Sequence, residues 1–95
     1  MARSLTAARA VVRPGQEAAY TDALRDLARA VRARGAHFWA FRSTASPDAF
    51  LEFVERADGL AAARTREEIA IERRLREVAL YGPDAEVLWE EFPCE

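Results

Sequence analysis

The chain has 95 residues, 51% of them hydrophobic, and its 14 basic and 16 acidic residues leave a net charge of −2. A chain of this length buries roughly 60–70% of its unfolded surface, so one core and one domain over residues 1–95 are expected, without a Pro-, Gly- or Ser-rich linker. The two charge signs interleave, so the broad positive field that draws nucleic acid or an anionic membrane is missing, and neither is expected as a partner.

Leu5 to Val12 reads as a strand, closed by the breakers Pro14 and Gly15. Over Gln16 to Arg34 the rhythm turns helical: Tyr20, Leu24, Leu27, Ala28 and Val31 make one apolar stripe, while Asp22, Arg25, Asp26, Arg29 and Arg32 take the other side. Glu17 and Asp22 suit the positive end of that helix, Arg32 and Arg34 its negative end, and Gly35 can supply a left-handed cap. His37 to Arg42 and Phe50 to Glu55 are aromatic-rich strands joined through turn residues at Ser43 to Asp48, a hairpin.

The spacing predicts helix again over Leu60 to Tyr81. Asp58 is a candidate cap for Gly59 to Arg64, and Thr65 with Glu68 forms a capping-box pattern, so a break near Arg64 is expected. Ile71, Leu75, Val78 and Ala79 make the buried stripe, Tyr81, Gly82 and Pro83 end the helix, and Glu86 to Phe92 return as a last strand. The order βαββαβ is the ferredoxin-like α+β plan: a four-stranded antiparallel sheet with two helices on one face. A fold that hosts many unrelated functions names none of them.

Side chains alternate along a strand, so His37, Trp39 and Phe41 share one sheet face and Phe38, Ala40 and Arg42 the other. Phe50 and Val54 likewise oppose Leu51 and Phe53, and Val87 and Trp89 oppose Leu88 and Phe92. Helices can cover only one such face. The other would be a larger apolar patch than soluble monomers expose, and a second copy of the sheet across a two-fold axis covers both patches at once.

Three short patterns carry a family resemblance. Val12, Arg13, Pro14 and Gly15 run straight into the helix of Glu17 and Tyr20; Gly35 precedes the aromatic strand of Trp39; and Phe50, Phe53 and Glu55 end a strand ahead of Asp58. In this order, over nearly the whole chain, they look like the antibiotic biosynthesis monooxygenase superfamily of dimeric α+β barrels. The resemblance implies a homodimer with facing sheets and, in each protomer, a pocket between helices and sheet. Members include cofactor-free oxygenases of polycyclic phenols and quinols, haem-degrading enzymes, and small proteins without known activity. The haem-degrading branch resembles an Asn, Trp and His constellation, whereas this chain has no asparagine and its one histidine, His37, begins a strand. Haem turnover is therefore not expected, and the family's catalytic roles do not transfer.

His37 alone has an unperturbed pKa near neutrality and is the candidate catalytic base; its structural reading is a strand-start histidine bonded to Glu or backbone. Tyr20, Trp39, Phe41 and Trp89 are candidate ligand-binding residues for a flat aromatic molecule, against a reading as plain core packing. Arg9 and Arg42 are charges inside apolar strands that Glu52, Glu55 or Glu90 could neutralise across the sheet, readable as a buried intersubunit ion pair or as an anion clamp for a carboxylated substrate. One histidine, one near-terminal Cys94 and scattered carboxylates make no metal site, no phosphate loop or nucleophile elbow occurs, and no cofactor is expected. The lone cysteine and the absence of a signal-peptide or membrane-length apolar run predict a cytoplasmic protein. These features point to a small homodimer that binds a small aromatic molecule, either as a cofactor-independent monooxygenase or as a non-catalytic binding or interaction module.

Overall fold

A computed structural model describes residues 3–56 and 64–94. The first apolar run becomes β1 (Ser4–Val12), followed by α1 (Glu17–Ala33), β2 (Phe38–Arg42), β3 (Ala49–Arg56), α2 (Arg66–Val78), β4 (Ala79–Tyr81) and β5 (Leu88–Glu90). The sheet is antiparallel in the order β2-β3-β1-β4, and β5 also pairs with β1. This is the ferredoxin-like plan read from the sequence. The proposed Asp58 cap and the expected helix start at Leu60 lie outside the described residues.

The alternation of β1 decides which side is covered. Thr6, Ala8, Ala10 and Val12 are buried under the helices, and Leu5, Ala7, Arg9 and Val11 face the other way. The α1 stripe of Tyr20, Leu24, Leu27, Ala28 and Val31 is buried as its spacing requires, and the core joins Tyr20, Leu27 and Val31 to Ala10, Val12 and Leu75. Gly35 follows α1 at φ +82°, a conformation open to glycine without strain.

Thr65 caps α2 in the expected capping box: its hydroxyl accepts the Glu68 N–H at 3.1 Å, and the Glu68 carboxylate accepts the Thr65 N–H at 3.4 Å. Glu68 is fully buried because the same carboxylate also takes the fork of Arg34, whose Nε donates at 2.7 Å and Nη2 at 3.3 Å. One side chain thus fixes the start of α2 to the end of α1.

The C-terminal third corrects the sequence reading twice. Helix α2 stops at Val78, not Tyr81, and Ala79 to Tyr81 form β4 beside Val12, Val11 and Ala10. Ala79 follows Leu75 at helical spacing and is buried, but its backbone is extended (φ −145°, ψ 151°) and sheet pairing wins. The last strand is also shorter than Glu86 to Phe92. The chain leaves β1 after the Gly82 N–H donates to the Arg9 carbonyl at 2.9 Å, turns through Pro83 to Val87, and returns as β5 opposite Ser4 to Thr6. Two short strands therefore share the edge that one strand was expected to occupy.

Beyond the sheet's open face no described helix lies. Trp39 (40% exposed), Phe41 (59%), Leu51 (40%), Leu80 (58%) and Trp89 (51%) stand there. The two-sided apolarity of the strands is thus real, with one side buried and one side bare.

Candidate functional site

Glu52 sits in the middle of β3 on the helix side, where a carboxylate is costly to bury. Its neighbours across the sheet are Ala8 of β1 and Ala40 of β2, two small side chains that leave space above it. Into that space come Tyr20 from the start of α1 and Tyr81 from β4. Both hydroxyls donate to the same Glu52 oxygen, Oε2, each at 2.6 Å. Burial nevertheless dominates and pushes the Glu52 carboxyl above its ordinary value, against the lowering effect of the two tyrosine hydrogen bonds. Burial, reinforced by the Glu52 charge, likewise drives both phenols far above the usual tyrosine range.

A small chamber of about 30 Å³ opens beside this cluster, between the sheet and α2, with Val54 and Leu75 among its apolar walls. Its polar rim is built from α2, the end of β3 and the β4–β5 turn. Arg64 donates to Glu72 at 2.6 Å and lies 3.4 Å from Glu86, while Arg76 lies 3.7 Å from Glu86 and over the Tyr81 ring, 4.5 Å from its centroid. Arg56, nearly buried, reaches in from β3 with its nitrogens 3.7 Å from Glu68 and 3.9 Å from Glu72.

The residues singled out in the sequence are divided by the sheet. Tyr20 belongs to the chamber side. His37, Trp39, Phe41 and Trp89 are on or beside the open face, with the His37 ring stacked on Trp39 at 5.6 Å and 9°. Phe41 packs edge-on to Phe53 at 5.8 Å. Between Trp39 and Trp89 lies a largely apolar cleft of about 240 Å³, bordered also by Leu5 and by Glu55, the partner of His37. Arg42 ends β2, exposed.

Within the single chain, neither Arg9 nor Arg42 meets a carboxylate among the described residues. Glu52 is occupied by tyrosines and Glu55 by His37, so both strand arginines remain solvated. Tyr81, Arg56 and the acceptor role of Glu52 were missed by sequence reasoning. The available signal was Glu52 itself, a lone acid at same-face spacing between Phe50 and Val54. No group of three metal-ligating side chains occurs among the described residues, and no described helix is long and apolar enough to cross a membrane.

With its helices on one face and a bare apolar sheet on the other, the chain has the ferredoxin-like α+β fold shared by antibiotic biosynthesis monooxygenases. Solved structures of similar shape include SnoaB, a cofactor-independent oxygenase from Streptomyces nogalater, at 11% identity and a TM-score of 0.75, covering 100% of this chain and 96% of that one. A proposed antibiotic biosynthesis monooxygenase from Bordetella bronchiseptica matches at 17% identity and a TM-score of 0.68 over 100% of both chains. A conserved protein of unknown function from Bacteroides thetaiotaomicron matches at 17% identity and a TM-score of 0.72, covering 95% of this chain and 96% of that one. No protein-family model and no curated protein matches the sequence. Identities this low establish the fold alone; the chemistry has to come from the side chains.

Proposed function

We propose that the protein is a homodimeric α+β barrel that binds a small aromatic molecule in the chamber beside Glu52, with oxygenation without metal or flavin as its catalytic form. The observation that carries this reading is the buried Glu52 carboxyl held by Tyr20 and Tyr81 at the chamber wall. In such a reaction an activated CH₂ group and O₂ become a carbonyl and water. A base takes a proton from the substrate, the carbanion passes one electron to O₂, the two radicals combine as a hydroperoxide, and loss of water leaves the carbonyl. Burial makes Glu52 a stronger base once ionised, and the tyrosines fix the direction of its oxygen.

At about 30 Å³ the chamber accommodates a water or dioxygen, so an aromatic ring must part the side chains at the rim. Arg64, Arg76 and Glu86 are solvent-facing, and exposed ion pairs of this kind contribute only about 0–1 kcal/mol each, a small barrier to opening. Dimerisation accounts for the other side of the sheet, where Trp39, Phe41, Leu51, Leu80 and Trp89 form a patch that a second copy would bury. The fold shared with SnoaB, described as a cofactor-independent oxygenase, supports the same assignment.

Anthrone, a tricyclic compound with an activated CH₂, tests the reading in an oxygen electrode. Uptake above the uncatalysed rate, lost in Glu52→Gln while binding is kept, is expected. Binding without turnover favours the non-catalytic binding module, and neither binding nor turnover overturns the chamber as a ligand site.

A second reading keeps His37 as the base, with Trp39 and Trp89 nearest the ligand. Its supporting observation is that the His37 Nδ1 lies 2.7 Å from Glu55, and that Glu55 and Trp39, on which the His37 ring stacks, both border the 240 Å³ cleft. That cleft lies on the face a partner would cover, so loss of anthrone turnover in His37→Ala but not in Glu52→Gln would select it.

A further inference from the structure

Arg56 is the unusual member of the chamber rim. It stands on the same face of β3 as Glu52 and Val54, and its side chain is only 10% exposed. Its Nη1 is buried with no hydrogen-bond partner among the described residues. The nearest carboxylate oxygen, on Glu68, is 3.7 Å away, beyond hydrogen-bond reach, because that carboxylate is already committed to Arg34 and Thr65. A charged donor left unsatisfied inside a protein is costly and rare, and where one occurs it asks for a missing acceptor.

From this donor we propose that the chamber selects aromatic ligands bearing an anionic oxygen, a carboxylate or phenolate, which Arg56 Nη1 receives while the ring lies toward Glu52. The inference rests on the chamber being the ligand site. The lining agrees with it: Arg64 and Arg76 reach Glu72 and Glu86, whereas Arg56 has its nearest carboxylate oxygens at 3.7 Å and 3.9 Å, beyond hydrogen-bond reach. Spacing agrees as well. Glu52 and Arg56 line one face of β3 four residues apart, about 13 Å between Cα atoms, so one ligand can present its anion to Arg56 and its ring toward Glu52. Arg9 and Arg42, the strand arginines first suspected of an anion role, are solvated and leave no donor buried.

Three probes of equal ring size separate the possibilities: 2-naphthoate, 2-naphthol and naphthalene, titrated by calorimetry into wild type, Arg56→Met and Arg56→Lys. In wild type the naphthoate is expected to bind at least tenfold more tightly than naphthalene. Arg56→Met should lose that preference while keeping naphthalene binding, and Arg56→Lys, which keeps the charge but not the fork, should retain part of it. Equal affinity for naphthoate and naphthalene in wild type overturns the proposal but leaves the chamber reading intact, since the rings still bind. Absence of binding by all three probes removes the chamber reading and the proposal with it. Should Arg56→Met not fold, wild type alone decides: bound 2-naphthol is expected to ionise at least one pH unit below free naphthol, followed by the naphtholate absorbance, and an unchanged or raised value overturns the proposal.

Discussion

Glu55 holds His37 twice through one oxygen, accepting its backbone N–H at 3.0 Å and meeting its ring Nδ1 at 2.7 Å. The histidine hydrogen bond keeps the Glu55 carboxyl below its ordinary value of 4.5. An acid depressed by folding stabilises the fold fully above its ordinary value and ceases to do so as pH falls through the lower folded value. Below about pH 4.5 the unfolding free energy of wild type should therefore fall more steeply than that of His37→Ala. Parallel pH profiles in urea titrations would show that the contact contributes nothing.

Glu52 has the opposite sign. Because burial raises its carboxyl, its contribution to stability is complete below the ordinary value and declines as pH rises through the folded value. Glu52→Gln keeps an acceptor for Tyr20 and Tyr81 without this decline, so its stability relative to wild type should increase from pH 5 to pH 8. Glu52→Ala instead strands two buried hydroxyls, at about 1–3 kcal/mol each. Chemical denaturation of the three proteins at several pH values checks both statements.

Leu24 and Arg25 are adjacent in sequence and opposite in environment, one buried against the core, the other exposed and paired with Asp22 at 3.4 Å. Leu24→Ala should cost about 2–5 kcal/mol and Arg25→Ala within about 0.5 kcal/mol. Equal losses would mean that the packing of α1 on the sheet is not as described.

Trp39 and Trp89 both stand on the bare sheet face, so a charge placed there would disturb the proposed dimer rather than the core. Trp39→Asp and Trp89→Asp should give folded monomers where wild type sediments as a dimer. A wild-type monomer at micromolar concentration and above would remove the dimer from the proposal.

Where the sequence carried the fold plainly, the cause was local. The α1 stripe repeats over three turns, Thr65 and Glu68 are three residues apart, and Gly35 stands just past the end of α1. Ala79 shows the limit: it extends the rhythm of Leu75, and only pairing with Val12, far back in the chain, makes it a strand. A three-residue strand is too short to display a period of its own. The chamber was harder still to see, because the partners of Glu52 lie 32 and 29 positions away, and distance in sequence gives no hint that two tyrosines converge on one oxygen.

The division of one sheet edge between β4 and β5 makes the two halves of β1 unequal in hydrogen exchange. Amides near Val12 are shielded by β4 and the buried Ala79, whereas Ser4 to Thr6 depend on a strand whose three residues are all exposed. The tail from Leu88 onward can peel away as a small unit while the helices and the rest of the sheet stay closed, and its amides should exchange earliest of the paired strands. Cys94, exposed just beyond that strand, is placed to report the opening when it carries a thiol-linked dye.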